Sequence, residues 1–257
     1  MSSRATAFAR KLSIVVAVVA GLLALWQFVT VAFAIPPYIL PTPDAVGRAF
    51  ISSRKTLAEH AAFTLLSAFL GLIVSCSLAV GLAIAFVTYK AVAKTSMPLV
   101  IVFRSAPVTA VAPLITLFVG RGLATSVVVV VIVSFFPIMV NMMRGLLSAD
   151  VCASELLHVY GASRWQHIRY VQAPYALPFL FAGLRVAAAS AVLGAMLSEW
   201  VTGSRGLGAL ILEAGVMREI EVLWAAVITS VIFALLVFFL TSAAENRVLH
   251  WKRTQIV

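Results

Sequence analysis

Charge is scarce in this sequence. Of 257 residues only 11% are Asp, Glu, Lys or Arg and 63% are hydrophobic, against about 25% charged in an ordinary soluble domain. That scarcity excludes a soluble globular domain and places the chain in a bilayer. Acidic residues are the rarest charges: 9 Asp and Glu stand against 19 Lys and Arg, for a net charge of +10. Too little chain remains outside the apolar runs to build a nucleic-acid face, so the excess positive charge reads as anchoring cytoplasmic helix ends. Cysteine is nearly absent. Cys76 and Cys152 fall at different predicted depths and are expected to be free thiols, and no CxxC or Cys/His cluster suggests a metal. There is no Gly-Lys pair anywhere in the chain, so a P-loop is excluded and no nucleotide, cofactor or metal is expected here. His60, His158, His167 and His250 fall outside the predicted spans, and no Ser/His or Asp/Asp pair falls within them. An intramembrane enzyme lacks its paired groups.

What the chain has in abundance is long apolar runs. Six spans are predicted, near Leu12–Ala34, Ala61–Tyr89, Met97–Val119, Leu123–Met143, Leu177–Trp200 and Val222–Ala244. The first could be mistaken for a signal peptide, because Arg4, Arg10 and Lys11 precede it and Ala32-Phe33-Ala34 ends it. Its length suits a span of about 30 Å at roughly 1.5 Å per residue, whereas a cleaved apolar core is usually about 7–15 residues. It is read as an uncleaved anchor, about residues 12–34, ahead of a core at about 61–244 in a single domain covering residues 1–257. Most Lys and Arg collect on the side that holds both termini, which is therefore expected to be cytoplasmic. Outside, Thr42-Pro43-Asp44 carries the N-cap, first-position proline and first-turn acid of a short interfacial helix. The Gly-rich stretch from Val201 to Gly215 suggests an apolar re-entrant turn.

Four residues stand out in or beside the spans. Arg104 and Arg185 are cations in apolar runs, which marks a pathway or side chains that snorkel to the interface. Pro107 frees a backbone carbonyl and permits a kink. Glu199 is the one carboxylate approaching a span. A carrier driven by an ion gradient usually shows intramembrane carboxylates or inverted repeats, so a secondary carrier or channel is the remoter alternative.

One polar stretch interrupts the apolar runs: Glu-Leu-Leu-His-Val-Tyr-Gly-Ala-Ser-Arg-Trp-Gln-His-Ile-Arg-Tyr-Val-Gln-Ala-Pro, residues 155–174. Leu156, Leu157 and Tyr160, then Trp165, Ile168 and Val171, recur at helical spacing on either side of Gly161. Gly161 suits the left-handed residue after a helix, and Ser163 with Gln166 has the spacing of a capping box. Pro174 is expected to end the second helix. Two short amphipathic helices at an elbow, within about residues 148–174, are predicted. Such a segment lies against anionic lipid headgroups through Arg164, His167 and Arg169, or docks a cytoplasmic partner through a compact Leu/Tyr/Trp surface.

Glu155-Leu156-Leu157, three residues, Gly161, nine residues, Val171, one residue, Ala173-Pro174 resembles the EAA motif of ABC-importer permeases, Glu-Ala-Ala-x3-Gly-x9-Ile-x-Leu-Pro. Leu156 and Leu157 replace its alanines, Val171 its isoleucine and Ala173 its leucine. Flanking stretches, Ser134–Leu146, Gly161–Ala187, Leu40–Phe50 and Ser198–Ala214, resemble the nitrate, taurine and sulfonate branch. The resemblance implies an all-α, type I importer permease of about six transmembrane helices in the bacterial inner membrane. It implies a second permease subunit, two cytoplasmic ATPase subunits holding ATP and Mg, and an external binding protein delivering a small solute such as a sulfonate, taurine or nitrate. Related permeases carry thiamine-precursor pyrimidines or riboflavin. Residues 148–174 would be the coupling segment, with Glu155, Leu156, Leu157, Tyr160, Gly161, Ala162, Ser163, Arg164, Trp165 and Pro174 meeting the ATPase. Arg104, Pro107, Arg185 and Glu199 remain candidates for the path.

Overall fold

Long apolar stretches without charge can satisfy their backbone in a bilayer only as helices or closed barrels, and this chain forms helices. The computed structural model describes residues 2–89, 91–95, 98, 102, 107–203 and 205–249. Among the described residues there is no strand. In chain order the helices are α1 (Ser2–Ala32), α2 (Pro43–Ser52), α3 (Arg54–Thr88), α4 (Val108–Val119), α5 (Leu123–Leu147), α6 (Val151–Val159) and α7 (Arg164–His167). A π-helical turn (Ile168–Gln172), α8 (Ala173–Thr202), α9 (Leu207–Met217) and α10 (Ile220–Val248) complete the order.

Five helical segments among the described residues are long and apolar enough to cross a membrane: Ser13–Ala32 of α1, α3, α5, the run Arg164–Thr202, and α10. The predicted third span is represented by α4 alone, 12 residues with Pro113 inside. Residues 97, 99–101 and 103–106, which include Arg104, lie outside the described residues. Helix α3 begins at Arg54, earlier than predicted, so Arg54 and Lys55 belong to its first turn and His60 lies inside a spanning helix rather than outside one.

The chain divides into two compact units. One comprises Met1–Ala58 with Leu210–Ile228, the other Glu59–Ala209 with Thr229–Val257. In the first, α2 starts as its sequence predicts: the Thr42 hydroxyl accepts from Ala45 N, Pro43 opens the helix, and Asp44 pairs with Arg48 at 2.6 Å. Val46 and Ala49 are its buried face, and the Trp26 and Trp224 rings meet at 5.6 Å.

The second unit holds the main core. Ala68, Leu72 and Ala79 of α3 gather with Ile138, Met139 and Met142 of α5 and Ala187, Ala191 and Ala195 of α8. Small residues bring α5 and α8 close: a Cβ on Gly145 would lie 2.7 Å from Ala176 Cα, and one on Gly183 2.9 Å from Pro137 O. Bilayer helices associate through this close packing because lipid supplies no hydrophobic drive between them. Leu78, Leu193, Phe239 and Leu240 point outward and are exposed in the isolated chain, as lipid-facing side chains are.

Candidate functional site

Asp150 opens the polar segment. Its carboxylate accepts from Cys152 N at 3.3 Å and Ala153 N at 3.4 Å, capping α6. The helix closes at Tyr160 with a double hydrogen bond in which Gly161 N donates to His158 O and Ala162 N to Leu157 O, both at 3.0 Å. This is the Schellman arrangement, which needs a left-handed residue just past the helix, and Gly161 has φ +68°. Ser163 then starts α7 with a complete capping box: its N donates to Gln166 Oε1 at 2.7 Å, and Gln166 N donates to Ser163 Oγ at 3.3 Å.

The predicted end at Pro174 is not observed. The chain stays helical through Ala173 (φ −65°, ψ −44°), and Pro174 falls in the opening positions of α8. The reason lies just upstream. Residues 168–172 form a π turn in which Ala173 N reaches back to Ile168 O. A wider turn of this kind relieves the clash between a proline ring and the carbonyl four residues back.

With the backbone satisfied, the segment turns apolar side chains outward. Leu156 is 58% exposed, Tyr160 78% and Trp165 62%. Glu155 is exposed and Leu157 half-buried. Glu155 lines an open groove of about 730 Å³ with Leu147, Val151, His158, Val159 and Arg164. Arg164 has a second engagement: its guanidinium donates to Thr88 O at 3.1 Å, at the carboxyl end of α3, where the helix dipole favours a cation. The structure thus brings Glu155 to Trp165 together on one elbow and separates Pro174 from them in the next helix. Asp150 was missed by the sequence reading, although an Asp directly before an apolar-periodic helix is a cap signal.

The path candidates fare differently. Arg104 lies outside the described residues. Pro107 is exposed at the start of α4 and makes no side-chain cap. Arg185 pairs with Glu245 at 3.1 Å. Glu199 is wholly buried within a polar cluster. Its Oε2 accepts from Gly208 N and from the Thr64 hydroxyl, both at 3.0 Å, and Thr64 Oγ1 accepts from Leu207 N at 2.8 Å. His60 Nδ1 lies 3.2 Å from Gly206 N and 2.8 Å from Gly206 O. Ser198 and Ser126 hydroxyls meet beside it at 3.2 Å. Glu199 Oε1 has no hydrogen-bond partner among the described residues.

A bundle of apolar spanning helices joined to a capped, apolar-faced elbow defines a multi-pass membrane protein with the type I fold of ABC-importer permeases. The solved structure of an amino acid ABC transporter with histidines superposes on 77% of this chain and 96% of that chain, with TM-score 0.63 and 18% identity. Residues 77–250 match the family described as binding-protein-dependent transport system inner membrane component, and the chain belongs to that family. The riboflavin transport system permease protein RibX of Chloroflexus aurantiacus is 33% identical across 90% of this chain and 87% of its own. The formylaminopyrimidine transport permease protein ThiX of Halalkalibacterium halodurans is 30% identical across 85% and 88%. The taurine transport system permease protein TauC of Escherichia coli is 25% identical across 94% and 90%.

Proposed function

We propose that this chain is the permease subunit of an ATP-driven importer, with both termini cytoplasmic and residues 148–174 as the segment that couples it to a separate ATPase. The whole chain then acts as one permease domain and pairs with a second permease subunit, a copy of itself in the simplest assembly. Two ATPase subunits carry ATP and Mg, and an external binding protein delivers the solute. The observation that carries this reading is the elbow itself. Its backbone is capped at both breaks, and Leu156, Tyr160 and Trp165 stand exposed on a polar interruption of a membrane chain. Aromatic residues displayed on a rigid turn beside a groove fit a docking surface better than a lipid-facing loop. Closure of the ATPase dimer on ATP would draw two such elbows together and switch the spans from inward- to outward-facing.

A tagged chain is expected to co-purify with its cognate ATPase. Gly161→Val should lose both the ATPase and solute uptake while remaining in the membrane. A Gly161→Val chain that keeps the ATPase and imports normally overturns the proposal.

For the solute, we infer a nitrogen heterocycle of the riboflavin or formylaminopyrimidine kind. Two observations support it over a sulfonate, taurine or nitrate. The riboflavin and formylaminopyrimidine permeases are more similar to this chain than the taurine permease. Arg185, a candidate cation for holding an anion, is committed to Glu245. The taurine relative keeps the sulfonate reading as the alternative. A thermal-shift panel of riboflavin, formylaminopyrimidine, taurine and nitrate on the cognate binding protein separates them, and stabilisation by taurine or nitrate alone would reject the heterocycle.

A further inference from the structure

The polar cluster around Glu199 has a use that neither the elbow nor the solute requires. Two consecutive backbone N–H groups, those of Leu207 and Gly208, are held by side chains from spanning helices, Thr64 and Glu199, and His60 Nδ1 contacts the Gly206 backbone beside them at N or O according to its tautomer. These are donors at the start of α9, which no helical carbonyl can satisfy. Both glycines are fitted to the cluster. Gly206 has φ +124°, and a Cβ there would overlap the Glu199 carboxyl group, while a Cβ on Gly208 would overlap Met196 O. The turn is therefore clamped onto α3 and α8 at the ends remote from the elbow. Among the described residues only Oε2 of Glu199 makes bonds, and Oε1 is left without a partner. A buried charged group usually has both oxygens satisfied, whereas holding this turn needs one acceptor oxygen.

We propose that Glu199 is a positioning residue that acts as a hydrogen-bond acceptor, clamping the Gly206–Gly208 turn, and that the turn must be clamped for uptake to proceed. The uptake clause rests on the importer reading above; the clamp does not. The acceptor role separates it from an ionisable group in a transport path. The carboxamide of Glu199→Gln keeps an oxygen for Gly208 N–H and the Thr64 hydroxyl, and replaces the idle Oε1 with an amino group. Glu199→Leu keeps the bulk and removes both acceptors.

The test uses the full chain, co-expressed with its ATPase and binding protein, in a Cys76→Ala/Cys152→Ala background. An Ala209→Cys reporter is added on a buried residue just past the turn, protected until the turn opens. Two quantities are read: the rate of labelling by a membrane-impermeant maleimide, and uptake of radiolabelled riboflavin and formylaminopyrimidine, each at matched membrane levels. Glu199→Leu is expected to raise labelling about tenfold, as a locally opened turn should, and to cut uptake at least as much. Glu199→Gln should stay within about twofold of the parent in both. If Gln fails as badly as Leu, the carboxylate charge is required and the acceptor role is wrong. If Leu labels and imports like the parent, there is no clamp. Should Glu199→Leu not reach the membrane, Thr64→Val carries the same comparison, since it removes the bonds to Leu207 N and Oε2 while leaving the carboxyl group. Its labelling should rise about threefold, and an unchanged rate overturns the clamp. A parent chain that imports neither probe, with labelling as expected, counts against the solute and importer reading alone.

Discussion

The elbow and the Glu199 cluster solve one problem in opposite ways. Both contain a break in helical structure, and both must find partners for backbone groups that the break exposes. The elbow uses its near neighbours: Asp150 caps residues two and three positions on, and Ser163 and Gln166 serve each other across three. The cluster uses residues remote in sequence, Thr64 reaching Leu207 across 143 positions. Its backbone locally satisfied, the elbow touches the bundle through Arg164 at Thr88 O and leaves Leu156, Tyr160 and Trp165 on the outside. Satisfied from a distance, the cluster is buried. Each has a positive-φ glycine, for different reasons. Gly161 has open space where a Cβ would go and is needed only for its dihedral, whereas Gly206 lacks both the dihedral freedom and the space for any other residue.

That contrast can be broken most severely at Gly206. Gly206→Ala should cost about 3 kcal/mol, combining left-handed strain with overlap on Glu199, and sharply reduce the amount of folded chain recovered in mild detergent. Next is Gly161→Val, with roughly 1–3 kcal/mol of local strain; it should leave folded yield unchanged and abolish ATPase co-purification. Gly161→Asn sharpens the comparison, because Asn tolerates the left-handed region and should retain the ATPase, while Gly206→Asn should not be recovered. Trp165→Ala should weaken ATPase binding by about tenfold without altering the thermal midpoint of the chain. The smallest effect is expected from Asp150→Ala, which should destabilise α6 by about 1 kcal/mol, read as faster hydrogen exchange confined to residues 151–159.

The same contrast decides what could be read in advance. Most of the elbow was legible because its signals lie within a few residues of what they control: Gly161 for the left-handed turn, and Ser163 and Gln166 for the box; Thr42 to Asp44 marked the start of α2 in the same way, and Asp150 was overlooked although its signal is just as local. Apolar run length was enough to find the five long spanning helices among the described residues, while the predicted third span is represented there by α4 alone. Pro174 misled because the restriction on the residue before proline is a bias that Ala173 overrides by staying in the αR region, while the π turn at 168–172 removes the ring's clash with the carbonyl four residues back. Glu199 was noticed as a carboxylate in an apolar run, but its partners, His60, Thr64 and the Gly206–Gly208 turn, are assembled only by packing. Periodicity carries no record of such pairings. Arg185 likewise looked like a lone intramembrane cation because Glu245 is 60 positions away in the chain.

The π turn has one more consequence. By letting the chain pass Pro174 without a break, it makes Arg164–Thr202 a single 39-residue run, a rod roughly 58 Å long at about 1.5 Å per residue. Its first residue follows the Ser163 cap, and Glu199 lies three residues before its last. The two regions contrasted above are therefore opposite tips of one strut. Torque applied at the elbow would reach the clamp through the shaft, as turning a key moves its far end, with no relay of side chains in between. Deleting one residue from 168–172 would restore ordinary winding and leave the residues beyond it facing nearly as they do now, because five residues of π turn and four of α-helix sweep about the same angle; inserting one there instead would turn the clamp away from Thr64 by about 100°.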